Sequence, residues 1–349
     1  MTLRLRGIRT TFLLGIFAGF IVVSSLRAND TPLLVLPTAN HELLNGNPAG
    51  FYQYVKRDFE GQVSQPWEGG QYGFVRDPIR LGDQILYTRF HEGIDIKPLE
   101  RDSQGEPEDV IHAIAAGRIA YINPLAGASN YGKYIVVEHQ FWGCPYYSLY
   151  AHLQTITANV DQQVAQGDPI AIMGHTGEGI DRERSHVHLE LNLMLNGHFA
   201  EWHDKYYPAE SERHGNYNGI NLAGLDIAKL YLELQKNPSL TIPEFIGQDE
   251  IWYRVRIPRS PNCDLQTRYP WLVKGSSEGA AWEIAFDRTS LPIEMKAVPD
   301  AVKEPVLSWV HPSPYPQQYL TKYHLISHGN RVELSNAGKK FLDLVSPGT

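Results

Sequence analysis

The chain has 349 residues, 42% of them hydrophobic and 20% charged, with a formal net charge of −8. That is ordinary for a globular protein long enough for two domains, and the acidic balance argues against a polyanion-binding surface, so no nucleic-acid partner is expected. Nineteen tyrosines and seven tryptophans fit either a β-rich body or an aromatic-lined groove.

The chain begins with Arg4, Arg6 and Arg9, followed by the uncharged run TTFLLGIFAGFIVVSSL. These are the charged and apolar regions of an export signal. Ala28 is the candidate last residue of a signal peptide over residues 1–28, although Leu26 is not the small residue preferred two places earlier. The competing reading is a retained anchor, since the run is near the lower limit for spanning a membrane. If the signal is cleaved, no stable membrane insertion is expected. Either way the body works outside the cytoplasm, in the periplasm or beyond. The two cysteines, Cys144 and Cys263, suit an oxidising space as one bridge or as two buried thiols.

Residues 29–73, rich in Pro, Asn, Gly and Gln, read as a strap leading into a domain over 74–215. From 74 to 197 the pattern is short β-type runs broken by turns: HAIAAGRIAYI, KYIVVEH, YYSLYAHL and HVHLELNL. VAQGDPIAIMG reads as two short strands pivoting at Gly167–Asp168. No long helix separates the strands, so the architecture is mainly antiparallel β. Asn221–Lys236 has helical spacing and stops before Pro238, which makes 216–240 a helical linker. Residues 241–349 read as a smaller α+β region. EIWYRVRI, AAWEIAF and NRVELS are its strands, and PQQYLTKYHLI and NAGKKFLDLV its helices, the last capped by Ser335 or Asn336. The order of its closing elements is that of a winged helix, without the basic face that nucleic-acid binding needs.

Four histidine-bearing stretches carry the candidate chemistry. In FHEGIDIKP, His91, Gly93 and Asp95 would line one face of a strand with Ile94 and Ile96 behind, and the glycine leaves room for a metal or substrate to approach. Glu92 would point to the opposite face and takes no role. In SHVHLEL, His186, His188 and Glu190 share a face opposite Val187, Leu189 and Leu191. In SLYAHLQ, Tyr150 and His152 share a face, with Leu149, Ala151 and Leu153 on the other. His139 ends an apolar strand and reads as a satisfied structural group, as do His112 and His175. Singly, each stretch is weak evidence. Together, His91, Asp95 and one of His186/His188 supply the two imidazoles and one carboxylate of a catalytic zinc site that keeps a position for water. His152 is then available as a base. Glu190 orients a ligand histidine or sits at the rim.

FHEGIDI, AAGRIAYI, YGKYIVVEH, LYAHLQTI, VAQGDPIAIMGHTGEG and SHVHLEL occur in the order and roughly the spacing of the lysostaphin-like, LytM-type zinc peptidoglycan endopeptidases, which the chain resembles over about residues 74–197. The resemblance implies an antiparallel β-sheet metallopeptidase domain of that type. It implies that His91, Asp95 and His188 bind Zn2+, and that His152 and His186 are catalytic without binding it. It implies peptidoglycan peptides as substrate, with a zinc-activated water as nucleophile. Two departures bear on substrate choice: the charged insertion KPLERDSQGEPEDVIHA, and Lys133 where asparagine is common. The rival expectation is an inactive or slow LytM-like module that binds the cell wall or activates another hydrolase. A third is an endopeptidase of other extracellular proteins, and a protein partner for residues 241–349 is a further expectation.

Overall fold

Every residue of the strand Val187–Met194 is buried, so its alternating pattern separates two interiors rather than core from solvent. Val187, Leu189, Leu191 and Leu193 face the principal core, while Met194 joins a smaller cluster with Tyr134, Val136, Tyr147, Leu149 and Ala151. The computed structural model describes residues 33–347; the expected signal peptide, with its cleavage point at Ala28, lies outside the described residues. Among the described residues no helix is long and apolar enough to cross a membrane.

The strand belongs to a seven-stranded antiparallel sheet. One flank pairs with Cys144–Ala151, beyond which lie Tyr134–Phe141, Gly117–Asn123 and Gln163–Val164. Its other flank is shared, with Ile94–Ile96 beside residues 187–189 and Leu222–Gly224 beside 192–194. The β runs read from sequence are all present. Gly167 makes the expected pivot at φ +84°, and the strands on either side of it enter different sheets. Pro169–Ile172 joins Val110–His112 and Thr155–Ile156 in a three-stranded sheet.

The strap is built into this body. Leu34, Leu36, Leu43, Phe51 and Tyr52 belong to the principal core. Gln53 N donates to the Asp95 carbonyl oxygen at 2.9 Å and Lys97 N to that of Phe51 at 3.0 Å, so the strap runs along the outer edge of Ile94–Ile96. Residues from 253 onward form a four-stranded sheet of Pro292–Val298, Ala281–Phe286, Tyr253–Pro258 and Val306–Val310 in that order, a hairpin, and a closing helix Asn336–Val345. Their apolar faces join the same core, which extends to Val345. The closing helix is capped by Ser335, whose hydroxyl accepts from Gly338 N at 3.0 Å.

Two elements depart from the helical reading. The helix expected from Asn221 starts at Ile227, because Leu222–Gly224 completes the flank of Val187–Met194 and Asp226 then caps the helix by accepting from Lys229 N. In PQQYLTKYHLI only a 3-10 turn at Gln317–Tyr319 forms, since Lys322 and Tyr323 adopt left-handed φ values of +51° and +61°, which no helix accommodates. Cys144 and Cys263 are both buried free thiols.

His139 is wholly buried beneath the sheet, its Nδ1–H donating to the Ala116 carbonyl at 2.9 Å and its Nε2 2.7 Å from Ser148 Oγ. Burial pushes this imidazole down to about 4. With the folded value below the unfolded one, the neutral ring contributes stability that is fully present above pH 6.5 and is lost as pH falls toward 4. The contribution is on the order of 3 kcal/mol. Urea unfolding at pH 7 and pH 4.5 is expected to show a wild-type loss that His139→Gln reduces by about that amount; equal losses in the two proteins would contradict it.

Candidate metal centre

The register of Val187–Met194 sets His188 opposite Asp95 on one flank and Ala151 on the other. Three of the motifs read from sequence therefore meet across adjacent strands. His91 closes the strand Gln84–His91, and the chain breaks at Glu92–Gly93 before Ile94–Ile96. A β-carbon on Gly93 would clash with the Leu189 carbonyl oxygen and come within 3.0 Å of His188 Cε1. The glycine is thus needed for backbone to lie against backbone, and the space read as an approach for metal or substrate is filled.

Three ligand-type atoms converge. His91 Nε2 lies 3.0 Å from His188 Nδ1 and 3.1 Å from Asp95 Oδ1, and His188 Nδ1 lies 3.0 Å from that same oxygen. A tetrahedral zinc with bonds of about 2.0–2.1 Å has ligand–ligand edges of about 3.3 Å. The outward atom of each residue is also engaged. His91 Nδ1 donates to the Gln71 carbonyl at 2.7 Å, His188 Nε2 lies 2.9 Å from Glu190 Oε1, and Asp95 Oδ2 accepts from Arg76 Nη2 at 2.6 Å. These partners accept ring protons on the outward side, so that the inward atoms can present lone pairs to an ion.

Such an arrangement calls for positive charge at its centre. Burial pulls the His188 imidazole down, yet the carboxylates of Asp95 and Glu190 carry it up to about 10, so without an ion the ring supplies that charge itself through a second proton, which a bound metal would displace. Burial pushes the Asp95 carboxyl up, and His91, His186 and the Arg76 guanidinium override it, holding it well below the usual range. Two imidazoles and one carboxylate, all buried and with inward lone pairs, are a donor set that fits zinc.

Two further imidazoles flank the set. His186 follows the 3-10 turn Arg182–Arg184; its Nδ1 donates to the Arg184 carbonyl at 2.6 Å and its Nε2 lies 3.4 Å from Asp95 Oδ1. The inserted charged loop supports this turn, Arg101 donating to the carbonyls of Arg182 and Glu183. His152 reaches the site by a different route from the one alternation suggests. Tyr150 and Leu153 both face the principal core, and a strict strand would send His152 the same way as Tyr150. Instead His152 adopts a left-handed φ of +62°, which turns its ring to the metal side. The strained residue is held by His152 N bonding the Tyr131 carbonyl and Nδ1 the Thr176 carbonyl at 2.8 Å. Burial, together with the imidazoles of His186 and His188, holds His152 well below its ordinary value and so neutral at pH 7. The His152 and His186 ring centroids are 4.7 Å apart.

All five residues line one cleft of about 560 Å3. His112, His139 and His175 do not; His175 instead pairs with Glu106 at 3.0 Å. Glu190 is wholly buried beside His188, not at a rim. Three contributors were not read from sequence: the Gln71 carbonyl, Arg76, and Tyr131, whose hydroxyl donates to Glu190 Oε1 at 2.7 Å. A main-chain oxygen leaves no residue-type signal, and Arg76 sits on a hairpin whose direction only the fold decides. Tyr131 opens the motif YGKYIVVEH, and its place in that motif is the one sequence signal among the three.

Residues 89–200 match the model of peptidase family M23. The murein hydrolase activator NlpD of Escherichia coli K12 is 35% identical over 102 residues, covering 29% of this chain and 22% of that protein, so the chain spans about a fifth of that relative's length. The lipoprotein NlpD of Yersinia enterocolitica is 36% identical over 89 residues, covering 26% of this chain and 79% of that one. Among solved structures, the catalytic domain of the antimicrobial peptidase lysostaphin from Staphylococcus simulans aligns with a TM-score of 0.29 and 18% identity, covering 56% of this chain and 98% of that one. A zinc-containing peptidase from Vibrio cholerae aligns with a TM-score of 0.24 and 19% identity, covering 40% and 42% of the two chains. The chain belongs to peptidase family M23, the LytM-type group, whose antiparallel β fold it carries.

Proposed function

We propose that the chain is a zinc-dependent endopeptidase of the cell envelope, hydrolysing cross-links or stem peptides of bacterial peptidoglycan after export. The observation that carries this reading is the convergence of inward lone pairs from His91, Asp95 and His188 beside two further imidazoles in one cleft. In this reading the peptidase domain expected over 74–215 takes in the strand Leu222–Gly224, with 29–73 the strap, the rest of 216–240 the linker and 241–349 an appended α+β region.

His91, Asp95 and His188 would hold the ion, which when bound supplies a Lewis acid and an acidified water. Gln71, Glu190 and Arg76 orient those three side chains from outside. His152 and His186, each anchored through Nδ1 to a carbonyl, leave Nε2 for the reacting atoms. Between them they accept the proton of the attacking water, donate a hydrogen bond to the oxygen of the attacked carbonyl, and return the proton to the leaving amine.

A second reading follows from the curated relatives named murein hydrolase activators: a module that binds the wall or stimulates another hydrolase without cutting. Digestion of purified sacculi by the protein alone, with and without a chelator and with mass spectrometry of the released muropeptides, separates the two. Chelator-sensitive release is expected; no release, with stimulation of an added hydrolase, favours the activator.

The variants divide the roles. His188→Ala is expected to lose both bound zinc and muropeptide release, and retention of both would overturn the ligand assignment. His152→Ala is expected to keep zinc at wild-type stoichiometry while cleavage slows by about 10²–10⁴-fold. Glu190→Gln is expected to weaken zinc binding by about 10–100-fold in chelator competition, and unchanged affinity would show that the carboxylate does not orient His188.

A further inference from the structure

Glu92, Asn130 and Tyr131 line two cavities at once: the metal cleft and a second one of about 440 Å3. The Tyr131 ring centroid is 5.6 Å from that of His188, so the second cavity opens one side chain away from the ligand set. Tyr134, Phe199 and Ile220 also line it, giving an apolar wall, and Glu212 and Arg213 bring adjacent opposite charges to the same space. Apart from Phe199, these wall and rim residues on the 199–220 side lie beyond the matched segment 89–200.

The charged pair sits on a pinned loop. His214 N donates to Glu212 Oε1 at 2.6 Å, the Tyr121 hydroxyl bonds His214 Nδ1 at 2.9 Å, and His214 Nε2 lies 3.2 Å from the Ala128 carbonyl. Among the described residues, no hydrogen bond or ion pair engages the Arg213 guanidinium or Glu212 Oε2. Neighbouring residues of opposite charge that do not pair with each other leave both charges for a ligand. An apolar wall ending at a cation and an anion matches a side chain of several methylenes that terminates in both an ammonium and a carboxylate. A plain lysine would satisfy only Glu212, and a neutral sugar ring could hydrogen-bond both groups but would neutralise neither charge.

We infer that this second cavity is a specificity subsite for a stem-peptide residue whose side chain ends in an amino-acid zwitterion, Arg213 taking its carboxylate and Glu212 its ammonium. This rests on the reading of the chain as acting on peptidoglycan peptides. A diamino dicarboxylic acid at the third stem position carries such a group; lysine at that position lacks the carboxylate.

The test is equilibrium binding of two synthetic, fluorescein-labelled stem tetrapeptides that differ only there, diaminopimelate against lysine, to the full protein. The wild type is expected to prefer the diaminopimelate peptide by about tenfold, the worth of one charge-assisted hydrogen bond. Arg213→Ala should erase that preference and Arg213→Lys restore part of it, while Glu212→Gln should weaken both peptides alike. The subsite is overturned if neither peptide binds, if the wild type does not discriminate, or if the preference survives Arg213→Ala. Hydrolysis is scored separately on the zinc-loaded protein. The expected binding preference with no muropeptide released from purified sacculi sinks the peptidase reading and leaves the subsite standing.

Discussion

The pairing of His188 with Asp95 across two antiparallel strands is the constraint on which the site depends. Side chains alternate along a strand, so a slip of one residue would send His188 into the principal core and bring Val187 or Leu189 to the cleft. Such a slip is opposed from behind by Leu189, Leu191 and Leu193 in that core, and from the side by Ile94 and Ile96. Gly93 admits the close approach that the pairing needs, and the strap holds the far edge of Ile94–Ile96 through Gln53. Packing that looks purely structural therefore sets the position of the candidate ligands.

The same pairing concentrates buried charge, which a protein interior tolerates only when it is compensated. Asp95 and Glu190 are both nearly inaccessible, at 3% and 0% exposure. Arg76 answers one and Tyr131 with His188 the other, while the inward atoms of His91, His188 and Asp95 are left for a cation. A divalent ion at that point would satisfy three groups at once. This links metal binding to the integrity of the sheet centre, since the atoms that would hold the ion are also those that repel one another without positive charge between them.

The flanking histidines reach the cleft by different local means. His186 is delivered by a capped turn that the charged insertion braces, and His152 by a left-handed residue at the end of its strand. Both devices fix a ring by giving its Nδ1 to a main-chain carbonyl, which leaves Nε2 unengaged by that anchor. The residues after 200 extend the groove past Tyr131, so the portion of the chain outside the matched family segment still borders the candidate site.

Much of this was legible in the sequence by itself. Period-two alternation marked the strands and the core face of SHVHLEL, residue types marked His91, Asp95 and one of His186/His188 as a ligand set, and the family resemblance chose His188. Local spacing carries such information because strand geometry alone decides which neighbours share a face. It misled where a single backbone angle intervened, at His152, and where a left-handed pair cut short the helix expected near Lys322. The burial of Glu190, the placing of Glu92 in the cleft rather than on the opposite face, the Gln71 carbonyl, the Arg76 guanidinium and the second cavity were decided only by tertiary structure. Each depends on segments far apart in the chain being brought together, and that proximity is set by the shared core and strand register rather than by any pattern within one segment.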